Sequence, residues 1–413
     1  LKPFTAPPIG VSVDIMTIND RSLLYFSTFA RALATGMMGV LLGIYLARVG
    51  LKVISIGLVI SAGLLGAATA TLVVTLVGDH WGRRRALLLL TLLSMVGGIM
   101  AALFSEQLFL GVAAFLGMLN GMGRDRGASL VLEQAILPLT VTDQERTQVF
   151  AWYNLLQDVG HALGGLLAGI PVLLRLVGVE EETSFRLTML LYASFYLPVF
   201  GAYLHLSALT ETVRTPERLV LSPQSRVILT KISALFAVDS IAGGFVGTAL
   251  ISFYFYTRFG VNEAVLGILF LGARLANALS HLGAAWLAKR IGLVNTMVFT
   301  HIPSSLLLMT VAIAPNFGIA ALLFILREGL VEMDVPTRQS YVMAVVRPQE
   351  RTFASGVTHL VRMGGWAIAP SIAGWLMQSV APAIPLIIGA TMKIGYDILL
   401  YSAFKAIKPP EEQ

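Results

Sequence analysis

Sixteen charged residues stand inside stretches that are otherwise apolar enough to lie in lipid. The basic ones are Arg31, Arg124, Arg126, Arg274, Arg327, Arg338, Arg362 and Lys393. The acidic ones are Asp125, Glu133, Asp158, Asp239, Glu328, Glu332, Asp334 and Asp397. A charge in hydrocarbon costs roughly 3 kcal/mol or more unless it pairs or meets water, so such residues mark ion and solute pathways. Equal numbers of each sign point to paired networks more than to a cavity of one sign. Glu328 and Glu332 are four apart and share a helical face. Two carboxylates facing one cavity repel, so one tends to hold a proton. The alternative is that each pairs with an arginine such as Arg327, Arg338 or Arg362. Asp158 and His161 also share a face; together they can relay protons or bind a divalent metal, and a hydrogen-bonded packing histidine is the plainer reading. His359 and the aromatic Tyr254 are further candidates for a cavity wall, although an interfacial belt also explains Tyr254.

The elements that must position these residues follow from composition. Of 413 residues, 56% are hydrophobic and only 13% are charged. A soluble domain carries roughly a quarter charged residues. The apolar runs are continuous, not alternating, which excludes a barrel and predicts an all-α membrane protein. Twelve spans are expected, at about 22–47, 54–77, 86–104, 107–137, 147–176, 184–208, 228–257, 263–288, 293–313, 318–345, 351–379 and 382–406. There are no cysteines, which removes disulfides and thiolate chemistry. The net charge of +6 sits mostly in short connections, so it does not read as a nucleic-acid face. No cleavable leader is expected. Sixteen Lys and Arg fall in connections on one side and five on the other, which predicts both termini in the cytoplasm and an inner-membrane location.

Two stretches repeat at an offset of 205 residues. Gln144-Glu145-Arg146-Thr147 recurs as Gln349-Glu350-Arg351-Thr352. The run from Gly160 to Gly169 aligns with that from Gly365 to Gly374. The chain is therefore expected to form an N-terminal six-helix bundle over 1–208, a cytoplasmic linker over 209–227 and a C-terminal six-helix bundle over 228–413. Arg31 and Asp239 fall at nearly equivalent repeat positions and are expected to flank a central cavity, as a pair that substrate or a proton breaks. A static ion pair is the competing reading.

Between spans two and three stands Asp79-His80-Trp81-Gly82-Arg83-Arg84-Arg85. Its D-x-x-G-R-R spacing resembles the signature loop of the major facilitator superfamily, and Leu287-Ala288-Lys289-Arg290-Ile291-Gly292 resembles a degraded copy. With the spans, linker and repeat, the resemblance covers the whole chain. It implies a secondary transporter with a midplane site between the bundles, a gate at Asp79, Gly82, Arg83 and Arg84, and a functional monomer. Gly160, Gly164, Gly165 and Gly169, with Pro370 in the second half, resemble the glycine motif of the superfamily's drug–proton antiporters, although Gly165 stands where that motif has proline. The arginine such exporters carry in span four is absent. The resemblance implies export of a small organic, amphipathic compound coupled to protons, with no other cofactor. Proton-coupled uptake of a polar or anionic solute stays open, with Arg124, Arg126, Arg274, Arg338 and Arg362 as counter-charges. A divalent-metal exporter and a non-transporting receptor on the same fold are the remaining alternatives. No phosphate-cradling or protease motif is present, so no enzyme is expected.

Overall fold

The computed structural model describes residues 13–140, 146–211, 222–333 and 351–404. Among the described residues every regular element is helical. The helices are α1 (Val13–Arg48), α2 (Val53–Trp81), α3 (Arg83–Leu103), α4 (Gln107–Gly117), α5 (Ala128–Ile136), α6 (Arg146–Leu167), α7 (Ile170–Leu176), α8 (Glu181–Ser194) and α9 (Tyr196–Leu204). The second half holds α10 (Pro223–Phe245), α11 (Thr248–Phe259), α12 (Glu263–Ile291), α13 (Leu293–Ala312), α14 (Phe317–Val331), α15 (Arg351–Ser379) and α16 (Ile384–Phe404). Taken with α4–α5, α6–α7, α8–α9 and α10–α11 as broken passes, these make the twelve expected crossings in two six-pass bundles. Nine stretches among the described residues are long and apolar enough to span a bilayer by themselves. α10 starts at Pro223, inside the expected linker, capped by Ser222 accepting from the Ser225 N–H.

The four broken passes depart from the sequence expectation of single helices, and the breaks in spans four and seven face each other. Span four is not one helix: it stops at Gly117, where Met118 turns left-handed with φ 51, and restarts at Ala128. Span seven breaks at Val246–Gly247. Free backbone groups in a membrane need partners, and these two breaks supply them to each other. The Ala249 N–H donates to the Gly121 carbonyl at 2.8 Å, and Thr248 Oγ1 donates to the Met122 carbonyl at 2.8 Å. Arg274 on α12 donates to the Gly123 carbonyl at 2.8 Å.

The two bundles meet along α2 against α15, α1 against α11 and α6 against α12. These joints crowd toward the end that carries Arg48. Gly57 lies against the Pro370 carbonyl and Gly374, with no room for a Cβ on either glycine. Ser61 and Ser371 hydroxyls are 2.8 Å apart, and the Ile54 N–H donates to Gln378 at 3.0 Å. Arg175 pairs with Glu263, and the Arg48 guanidinium sits 5.2 Å from the Tyr256 ring centre. The conformation is therefore the one closed at the Arg48 end.

The glycine-rich run in α6 is explained by this packing. Gly160 and Gly164 press on the backbone of α1 at Phe29 and Leu33, while Gly165 and Gly169 face Gly267 and Ala264 on α12. Pro370 serves the same close approach from α15. Gly164→Val is expected to destabilise the protein by about 1–3 kcal/mol, the usual cost of overpacking. A melting temperature equal to wild type would contradict the packing role.

At the far end, Gly82 links α2 to α3 with φ 91, and Gly292 links α12 to α13 with φ 88. A side chain would be strained at either turn. Arg83 donates to the Ala135 carbonyl at 3.2 Å, and Arg84 donates to the Leu204 carbonyl. Both arginines thus sit on helix C-termini, where cations are favoured. The signature loop ties span three to spans four and six of its own bundle. The Asp79 side chain lies outside the described residues.

Candidate functional site

A cavity opens between the bundles at the level of the two breaks. Its void measures about 1080 Å³, open mouth included. The first bundle contributes Asn120, Arg124 and Arg126 from the non-helical segment, and Leu64 and Ala67 from α2. The second contributes Asp239, Arg274, Arg327, Glu328, Glu332, Arg362, Trp366, Lys393 and His301, with Phe270 and Phe324 as apolar wall. Among the described residues, six Lys or Arg therefore line it, against three carboxylates.

The partners of these groups are specific. Arg124 donates to Glu332 at 2.8 Å, an ion pair joining the bundles across the cavity. Glu328 pairs with Arg327 and accepts from Asn277 at 2.9 Å. So Glu328 and Glu332 do both line the cavity, but each has its own arginine, and the shared-proton arrangement is not what the geometry holds. Each arginine forms charge-assisted hydrogen bonds with its carboxylate. Arg126 and Arg362 come from different bundles and converge on one indole. Their guanidinium carbons lie 4.8 and 5.0 Å from the Trp366 ring centre. Such contacts hold a guanidinium in place through its face, while its N–H groups point outward in the ring plane as donors.

Arg31 and Asp239 do not form a pair. Arg31 is buried in the first bundle, outside the cavity lining, with its charge met by Asp125 at 3.0 Å and both Glu133 oxygens at 2.6 and 2.7 Å. Tyr203 bonds Arg31 and also Glu133, and Tyr153 donates to Glu133 at 2.6 Å. Asp239 does line the cavity. Its partners are Lys393 at 3.0 Å and Arg362 at 3.5 Å, from α16 and α15. The reason is the repeat itself: a two-fold relation puts equivalent residues in separate bundles, each facing its own bundle's helices.

His161 and Asp158 do not form a metal pair. The His161 Nε2 accepts from the Asp125 N–H at 2.8 Å, so that lone pair is occupied by the break in span four. Asp158 is exposed. Among the described residues no three His, Asp or Glu side chains converge as a metal site. Tyr254 is also displaced from the cavity: it is fully buried, packs edge-on with Phe255 and Phe259, and donates to the Ala312 carbonyl at 3.2 Å. Asp125 is a positioning group for Arg31 and His161, not a lining residue. His359 is half-buried beside Arg126 and Arg362. Arg338 lies outside the described residues.

His301 and Trp366 are lining residues that the sequence reading misses. His301 occupies the middle of an apolar run two residues before Pro303. The burial argument applied to the other charges would have found it. It sits behind Lys393, with Nε2 at 3.4 Å from Nζ and Nδ1 at 3.0 Å from Asp397.

Two bundles closing over a polar midplane cavity define a membrane transporter, not an enzyme. The chain matches the Major Facilitator Superfamily over residues 24–370 and belongs to that family. A membrane protein of Saccharomyces cerevisiae, YJR124C, is 25% identical over 97% of each chain. The nucleoside transporter NupG superimposes with a TM-score of 0.73 at 15% identity, over 94% of this chain and 99% of that one. A bacterial homologue of the iron transporter ferroportin in its inward-facing state gives 0.70 at 12% identity, over 93% and 98%. These likenesses establish the fold.

Proposed function

We propose that this protein moves a small organic anion across its membrane by alternating access of the two bundles. The single observation that carries this is the cavity's charge: among the described residues, six cationic side chains line it against three carboxylates. Arg124 and Arg327 are matched by Glu332 and Glu328, and Asp239 is shared by Lys393 and Arg362. The lining is therefore net positive, with Arg126 and Arg362 brought together on Trp366. Two guanidiniums converging in a low-dielectric space favour an anion strongly. Trp366, Phe270 and Phe324 give the remaining wall an apolar and aromatic character suited to the organic part of the solute. The amphipathic-exporter reading draws on the buried acids and on glycines whose contacts are accounted for by helix packing. The metal-exporter reading meets a His161 Nε2 lone pair already taken by the Asp125 N–H.

The excess of Lys and Arg in connections at the Arg83 end supports that end facing the cytoplasm. The conformation is then the one sealed from outside, with Gly57, Gly374, Ser61 and Ser371 at the seal.

Thermal unfolding of the purified full chain tests the substrate class. Benzoate, succinate and uridine monophosphate would be compared with tetraphenylphosphonium, glucose and leucine. A ligand at about 100 times its Kd stabilises by about 2.7 kcal/mol. One or more of the anions is expected to raise the melting temperature, and Arg126→Gln is expected to weaken that shift. Stabilisation by tetraphenylphosphonium alone would overturn the anion reading.

A further inference from the structure

Two buried ionic clusters flank the cavity, and they are satisfied to different degrees. In the first bundle Arg31 and Glu133 are closed on themselves, with both Glu133 oxygens accepting two hydrogen bonds. The second cluster runs from the cavity inward as Arg362, Asp239, Lys393, His301 and Asp397. Lys393 donates to Asp239 Oδ1 at 3.0 Å and faces His301 Nε2 at 3.4 Å. A lysine only donates, so Nε2 is the acceptor and the ring proton is on Nδ1, which donates to Asp397 Oδ1 at 3.0 Å. The imidazole is then neutral. Arg362 and Lys393 balance Asp239 and Asp397, and the cluster carries no net charge. Asp397 is fully buried, and its Oδ2 accepts no hydrogen bond among the described residues.

An anion entering the cavity meets Arg362, whose contact with Asp239 Oδ2 is the loosest in the cluster at 3.5 Å. If the anion takes Arg362, the cluster is left one negative charge in excess in a medium that penalises it. We propose that Asp239 is a proton-binding site coupled to anion binding: as a monoanion takes Arg362, one proton from the cavity binds Asp239 Oδ2, and the two cross together. Lys393 then serves Asp397 through the neutral imidazole, so charge balances on both sides. His301 and Asp397 are positioning residues that hold Lys393 in place. The charged groups facing Asp239 are Arg362 from α15 and Lys393 from α16, with His301 from α13 and Asp397 from α16 behind Lys393. This inference rests on the anion reading, and it differs from exchange in making proton and solute travel the same way.

Removing Arg362 imitates its capture by an anion, so the first arm needs no ligand. Infrared spectra of the full chain in lipid near neutral pH would be compared for wild type, Arg362→Gln, Arg362→Lys and Arg362→Gln with Asp239→Asn. The protonated-carboxyl stretch is expected only in Arg362→Gln. A folded Arg362→Gln without that band, or with a band that survives Asp239→Asn, would overturn the proposal. In the second arm benzoate is added to wild type and to Asp239→Asn, and proton uptake is followed with a pH dye. Uptake of about one proton per bound benzoate is expected in wild type and none in Asp239→Asn. If Arg362→Gln does not fold, this arm decides, and binding without uptake sinks the coupling. Failure of benzoate, succinate and uridine monophosphate to bind sinks the anion reading and, because the coupling rests on it, this one too. A missing carboxyl band beside normal anion binding sinks the coupling alone.

Discussion

Arg31→Met is expected to lose about 3–5 kcal/mol of stability, the cost of breaking a buried pair from one side. Glu133 is 0% exposed and its neighbours Tyr153 and Tyr203 cannot neutralise it. Asp125 loses the same partner, and with it the order of the non-helical segment that ends at Gly127. The measurement is the folded fraction recovered from membranes, followed by thermal unfolding. The double variant Arg31→Met with Glu133→Gln should recover part of the loss, because no unpaired carboxylate is left buried at Glu133. A single variant that melts with wild type would show the cluster to be energetically idle.

Joining Ser61 to Ser371 is expected to stop transport almost completely and reversibly. The chain contains no cysteine, so Ser61→Cys with Ser371→Cys introduces the sole thiols. The hydroxyl oxygens stand 2.8 Å apart across α2 and α15, close enough for sulfurs to reach a disulfide length of about 2.05 Å. Alternating access requires these two helices to part at the Arg48 end. Oxidation should therefore abolish solute flux in proteoliposomes, and a reductant should restore it. Each single variant should keep its flux. Undiminished flux in the oxidised, cross-linked protein would mean that this seal does not open.

The crossings were legible because each is a long apolar run. Most ends lie within a few residues of the helices described, but α1 begins at Val13, nine residues before the expected start, and the expected end of span ten lies outside the described residues. The breaks were not legible. Gly117, Gly121 and Gly123 read locally as small residues in a packed helix, and nothing near them in sequence says that Gly121 and Met122 carbonyls will be met by Ala249 and Thr248 of the other bundle. The charged residues were found by the cost of burying them, and most of the cavity lining follows from that one argument. Their pairing was not found, because partners such as Arg31 and Glu133 stand about a hundred positions apart and each carboxylate had several arginines to choose from. Tyr254 failed for a related reason: an aromatic at a helix end reads alike whether it faces solute or the Phe255 and Phe259 rings.

The joint between the broken passes has a bearing on how this protein can change over generations. Its bonds run from the Ala249 N–H to the Gly121 carbonyl and from Thr248 to the Met122 carbonyl. Three of those four partners are main chain, which every amino acid except proline supplies in full. The bonds of the fulcrum therefore ask little of side chains beyond Thr248 and the space left at Gly121 and Gly123, while each arginine around it is one codon from another side chain. A lineage of such proteins is free to trade one cargo for another and inherit the same machine.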